Sequence, residues 1–229
     1  MNWRQLVPAF LKPVLRPVHR TVGTLTGALR DRPRRREECH AYWKAPDDGC
    51  NLPEFYLQRG HARSEFLVQL IRRHLSPDAH VLEIGCNAGR NLHHLHRAGF
   101  TQLAAIEISE NAVALLRESY PEMARRLQLH VGAVEDVIRS LADGQFDLVF
   151  TMAVLEHIHR DSEWVFDEMA RVTRGLLITV EDEQNRSWRH FPRNYQAVFE
   201  SRGLRQVEQV DCSRVLELSQ AFVARVFRK

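Results

Sequence analysis

Apolar and polar positions along the chain follow two periods, and the switches between them mark the elements. Short apolar runs at residues 81–84, 103–106, 127–131, 146–150 and 175–180 have the continuous pattern of strands covered on both faces. Between them, apolar residues recur every three or four positions, which predicts helices over residues 54–75 (interrupted near Gly60), 111–118, 162–172 and 193–202. Strands follow at 204–210 and 221–227. Strands alternating with helices predict an α/β, doubly wound, mostly parallel seven-stranded sheet with helices on both faces.

One run ends unusually. In Val81 to Leu92, VLEIGCNAGRNL, a strand stops at Gly85 and a helix begins after Gly89, with Glu83 two residues before the first glycine. The glycines let a ligand approach the backbone. The next strand ends in Glu107, so each strand tip of this β-loop-α-β unit carries an acid. A carboxylate at Glu107 can accept both hydroxyls of a ribose. A pyrophosphate would be repelled by Glu83, whereas an ammonium or sulfonium would gain from it. S-adenosylmethionine carries both cations.

In these residues, and in IEIS (Ile106 to Ser109), FDLVF followed by VLEHI (Phe146 to Ile158) and the strand RGLLITVEDE, the chain resembles the class I S-adenosylmethionine-dependent methyltransferases. The resemblance covers residues 55–229 and implies a C-terminal antiparallel strand pair. It implies S-adenosyl-L-methionine as cofactor, bound by Glu83, Gly85, Cys86, Asn87, Gly89, Glu107, Ile108, Ala133, Val134 and Met152. Where the family usually has an acid for the adenine, this chain has Ala133, so Glu135 or Asp136 is the substitute candidate. The helix before the first strand covers the cofactor in the family, which makes Tyr56, Arg59, His61 and Arg63 lid candidates; an ordinary surface helix would carry the same residues.

Methyl transfer to a hydroxyl needs alignment and a base, and strand tips are where ligands of open α/β sheets bind. This selects His157, whose ordinary pKa of ~6.5 suits a base near neutrality, and Glu181, with Asp182 and Glu183 beside it. Relatives that methylate hydroxyls of quinone precursors carry EMLEH and bind a divalent cation there; here Ala153 replaces the first acid, so no metal site is expected, and Glu156, His157 and an acid from Glu181 to Glu183 would be the only set for one. His93 and His96 have ligand-like spacing but no third ligand. Thr151-Met152-Ala153 stands in place of the tetrapeptide used on nucleobase amines, which argues against a nucleic-acid acceptor. GCNAGRNL and the preceding RSEFL resemble methyltransferases associated with bacterial polysaccharide assembly. The expected reaction is O-methylation of a sugar, glycan or other small molecule. A dehydrogenase lacks its pyrophosphate turn here, and the alternatives are a non-catalytic cofactor-binding scaffold or a methyltransferase acting on RNA or protein.

Charge divides the chain. Residues 1–36 hold nine basic residues against Asp31 alone, while the whole chain is only +3. Within this arm Leu6, Phe10, Leu11, Val14 and Val18 recur at helical spacing opposite Lys12, Arg16 and Arg20, although Pro8, Pro13 and Pro17 would break a helix. The arm therefore reads as a peripheral membrane contact, with packing on the protein itself or in a homo-oligomer as the alternative. No run is long enough to span a membrane and none has signal-peptide form. Cys39, Cys50, Cys86 and Cys212 form no CxxC pair, which fits a reducing cytoplasm, with the arm at the inner membrane face. Residues 1–40 are thus expected to be arm and linker, and 41–229 the methyltransferase domain.

Overall fold

The computed structural model describes residues 34–229 apart from Asp48 and Cys50. The amphipathic arm lies outside the described residues. So does Cys50. Among the described residues no helix is long and apolar enough to cross a membrane.

Seven strands form one sheet in the order β3-β2-β1-β4-β5-β7-β6. They are β1 (Val81–Ile84), β2 (Leu103–Glu107), β3 (Gln128–Val131), β4 (Phe146–Met152), β5 (Thr173–Asp182), β6 (Arg205–Asp211) and β7 (Phe222–Arg228). The first five are parallel, and β7 runs antiparallel between β5 and β6. β1 and β2 are buried at every position, as their unbroken apolar runs predict. Two cores flank the sheet. One is built on Leu67, Leu70, Ile71, Leu92 and Leu95, and the other on Ile138, Phe166, Met169, Tyr195 and Phe199.

The described residues form nine α-helices. Helix α1 is Arg36–Lys44, α2 is Pro53–Gln58 and α3 is His61–Arg72; α4 (Arg90–Arg97) and α5 (Glu110–Ser119) follow β1 and β2. Short α6 (Pro121–Ala124) and α7 (Val134–Val137) flank β3, while α8 (Val165–Val172) and α9 (Tyr195–Glu200) cover the second face. The helix expected over 54–75 is interrupted where the sequence placed the break, with Gly60 at φ +85 capping α3. One expectation changes. The stretch read as a solvated linker starts a helix at Arg36, and residue 40 lies inside it. Cys39 is buried, and His40 Nε2 lies 3.1 Å from Glu135 Oε1, so α1 packs on the domain.

Sheet order reverses between β1 and β4, where the connections from β1 and from β4 leave in opposite directions. Open α/β sheets bind ligands in the crevice at that switch point, at the carboxyl ends of the strands.

Candidate active site

A cleft of about 860 Å³, mouth included, opens there. This lies within the range of small-molecule sites. Its floor is the turn after β1. Gly85 and Gly89 have φ +74 and +78, and a Cβ on Gly85 would stand 2.5 Å from Val154 Cγ2. Only glycine lets the chain turn there with Val154 packed over it.

The two strand-tip acids are held differently. Glu107 accepts from Asn87 N at 2.7 Å and from Ser109 N at 2.8 Å, one on each oxygen. Burial raises its pKa and these backbone donors oppose the rise. It lines the cleft with lone pairs left over for a diol. Glu83 is deeper, 1% exposed, and accepts from Asn91 Nδ2 at 2.8 Å, while its Oε2 is buried without a partner. Burial pushes its carboxyl up to about 8, against the Asn91 bond and the charge of Arg90. An unpartnered buried carboxyl oxygen suits a cationic ligand group. The pair therefore fits S-adenosylmethionine: Glu107 for the ribose and Glu83 for the ammonium.

Of the other residues assigned to the cofactor, Gly85, Asn87, Ile108, Ala133, Val134 and Met152 line the cleft. Cys86 and Gly89 do not, and neither does the deeper Glu83. Cys86 is buried with its thiol pKa pushed up, and Gly89 sits at the start of α4 against Leu116. Glu135, the substitute for the missing adenine acid, lines the cleft and pairs with His40.

A buried chain of side chains, which no sequence motif announces, supports Glu83. Arg90 Nη1 donates to the carbonyls of Tyr56 (3.0 Å) and Arg59 (2.8 Å), and its Nε donates to Ser64 Oγ (2.9 Å). Ser64 Oγ donates to Asn91 Oδ1 at 2.7 Å. Of the lid candidates, Tyr56 lines the cleft, whereas Arg59 stacks over Phe55 and His61 pairs with His94. His93 stacks on Tyr120.

The opposite half of the cleft is walled by Trp43, Pro46, Pro53, Tyr56, His157 and Ile158. His157 follows β4 in a 3₁₀ turn, where its Nδ1 donates to Arg189 O at 2.9 Å and its ring lies 4.4 Å from Trp43. Burial, then His190 and Arg189, pull its pKa down to about 3. Taking a proton at neutral pH would then cost about 5 kcal/mol, at 1.36 kcal/mol per unit. The expectation that His157 is the base took its ordinary pKa, and burial in this turn works against its accepting a proton near neutrality.

Glu181 does not touch the cleft. It is fully buried behind the wall, where its Oε2 accepts from Val154 N and Leu155 N, both at 2.9 Å, and so shapes the turn that carries His157. Glu156 accepts from Asp182 N at 2.7 Å. Burial and the neighbouring Glu181 drive the Glu156 pKa well up, so this pair of carboxyls retains a proton at neutral pH. The proton lies between Glu156 and Glu181, whose side chains bond each other. The fold also brings His190 to this corner, with its ring centroid 4.6 Å from that of His157.

Comparison with known proteins agrees with this geometry. Residues 82–177 match a family profile described as a methyltransferase domain. An O-methyltransferase from Pyrenophora dematioidea is 22% identical over 142 residues, which is 62% of this chain and 51% of that protein. The chain thus spans about half the length of this curated relative. The geranyl diphosphate C-methyltransferase of Streptomyces coelicolor A3(2), solved with Mg2+, geranyl diphosphate and S-adenosyl-L-homocysteine, superposes with a TM-score of 0.58 at 13% identity, covering 87% of this chain and 90% of that one. An S-adenosylmethionine-dependent methyltransferase from Mesorhizobium loti gives 0.58 at 13% identity, over 72% of this chain and 98% of that one. The [4+2]-cyclase SpnF also gives 0.58, at 15% identity, over 72% and 81%. At such identities the structural likeness speaks for the fold. Residues 82–177 are a methyltransferase domain, and they lie within a seven-stranded sheet of the class I S-adenosylmethionine-dependent methyltransferase fold.

Proposed function

We propose that this chain transfers the methyl group of S-adenosylmethionine to a hydroxyl oxygen of a small-molecule or glycan acceptor. The observation that carries the reading is the pair Glu83 and Glu107, set at adjacent strand tips around a glycine turn, one with an orphaned buried oxygen and the other on the cleft wall. When bound, the cofactor supplies a methyl carbon whose bond to sulfur breaks, the electron pair staying on sulfur, as the bond to the acceptor oxygen forms. The protein's share is to hold both partners in line and to let the hydroxyl lose its proton. Glu107 fixes the ribose, Glu83 the ammonium, and the backbone of Ala133 and Val134 lies at the adenine end.

A hydroxyl acceptor is favoured by the O-methyltransferase relative and by the absence of the nucleobase-amine tetrapeptide after β4. The acceptor half suits a ring-shaped molecule, since Trp43 and Tyr56 offer flat faces and the His157 turn offers polar groups. A glycan is the form suggested by the GCNAGRNL motif. Because a cyclase shares this fold, turnover decides the reaction class. The full chain is incubated with S-adenosylmethionine and a panel of sugars, lipid-linked sugars and phenols. S-adenosylhomocysteine and an acceptor heavier by one methylene are expected. Cofactor binding without S-adenosylhomocysteine under any acceptor would contradict the reading.

A further inference from the structure

The turns after β4 and β5 gather three groups that the cofactor contacts do not use. One ligating atom from each of Glu156, His157 and His190 lies within 4.8 Å of the others. His157 Nε2 stands 3.9 Å from Glu156 Oε1. The hydrogen bonds around the cluster decide which atoms remain available. His157 Nδ1 is tied to Arg189 O at 2.9 Å and His190 Nδ1 to Ser187 Oγ at 2.5 Å, so both rings are oriented through Nδ1 and keep Nε2 for another partner. Glu156 Oε2 is occupied by Asp182 N, which leaves Oε1 for a cation that displaces the proton shared with Glu181. Histidines that ligate metals are oriented in this way, by a bond from the other ring nitrogen to a carbonyl or polar oxygen.

The cluster is also built rigidly. Arg193, 8% exposed, donates to Leu155 O (3.4 Å) and Ile158 O (3.0 Å) on one turn and to Phe191 O (2.7 Å) on the other, fastening the segments that carry His157 and His190. The Arg189 guanidinium lies among the rings of Tyr42, Trp43 and Trp188. Asp182 adds negative charge that His157 feels.

We propose that Glu156, His157 and His190 form a site for one divalent transition-metal ion at the acceptor end of the cleft. Two imidazoles and one carboxylate suit Zn2+ or Co2+, whereas Mg2+ and Ca2+ favour oxygen ligands. Three protein ligands leave a coordination position open, and His157, which lines the cleft, sets the site beside the acceptor half. The catalytic role rests on the methyl-transfer reading above. A hydroxyl coordinated at that position loses its proton to solvent near neutral pH, and its oxygen bonds the methyl carbon as the carbon–sulfur bond breaks.

The test is calorimetric titration of metal-stripped full-length protein with Zn2+ and, separately, Mg2+, together with Co2+ monitored by visible absorption, on wild type, His190→Asn and Glu156→Gln. One Zn2+ per chain is expected, with Mg2+ at least about tenfold weaker. Each substitution should weaken Zn2+ about tenfold or more and alter the Co2+ spectrum. His190 is half-buried in a surface turn, so its variant decides between the outcomes even if Glu156→Gln fails to fold. No Zn2+ binding by wild type overturns the proposal. So does binding unchanged in His190→Asn, which would follow from a surface pair such as His61 and His94, 3.1 Å apart. S-adenosylmethionine titrated into the same samples separates the two readings: Zn2+ bound without the cofactor sinks methyl transfer alone, and cofactor bound without Zn2+ sinks the metal site alone.

Discussion

The two halves of the cleft are made by different means. The cofactor half comes from one β-loop-α-β unit, where Glu107 reaches back 20 residues to Asn87 and two to Ser109. The acceptor half is assembled from α1, α2 and the turns after β4 and β5, and its contacts span long separations, such as His40 to Glu135 across 95 residues. A ligand of fixed chemistry can be met by a short local motif built on backbone geometry. A variable acceptor is met by side chains on segments that the fold brings together.

The largest effect should come from loosening the acceptor half. Arg193→Met leaves the carbonyls of Leu155, Ile158 and Phe191 without their shared donor and should lower unfolding free energy by about 3 kcal/mol, read as a shift of the urea midpoint at constant slope. A shift below ~1 kcal/mol would mean that the two turns are held by other contacts. In the cofactor half, Gly85→Ala forces a Cβ into Val154 at positive φ and should cost about 2 to 3 kcal/mol of stability or cofactor affinity. Wild-type behaviour in both would show that the turn yields freely.

The buried acid gives a pH signature. Glu83 sits at about 8 in the folded chain against an ordinary 4.5, so between these values the folded state holds a proton that the unfolded state has lost. Its stabilising contribution is therefore complete below pH 4.5 and is lost as pH rises through 8. His157 acts in the opposite sense, but only below its ordinary 6.5. Between pH 6.5 and 8 the cofactor-free protein should lose stability, with Glu83 supplying up to ~2 kcal/mol of the fall. Glu83→Gln should flatten the curve of melting temperature against pH; an unaltered slope would show that Glu83 does not carry that proton. The smallest effect belongs to the acceptor wall. Trp43→Ala should reduce kcat/KM for the acceptor about tenfold, or ~1.4 kcal/mol, while cofactor affinity stays within about twofold. Loss of cofactor affinity instead would assign Trp43 to the other half.

The sheet was legible because its strands are buried on both faces and carry unbroken apolar runs, and the cofactor acids because they stand at strand ends beside glycines. Even the C-terminal antiparallel pair agrees with the resemblance. Helix α1 escaped notice because its sequence, REECHAYWK, is mostly polar and its contacts lie far along the chain, at Glu135 and His157. Glu181 was placed at the right strand tip, but its side chain turns inward to two backbone donors, and only the turn after β4 reveals that. The surroundings of His157 were hidden for a related reason. The pKa of His157 is set by burial and by His190, a residue 33 positions away that no local pattern connects to it.

Calorimetry of S-adenosylmethionine against wild type and Glu107→Ala tests the central claim most directly. The account predicts one cofactor per chain for wild type and a loss of ~1 to 3 kcal/mol in the variant, because the ribose hydroxyls lose a buried charged acceptor. No binding by wild type, or the same affinity in both proteins, would contradict it.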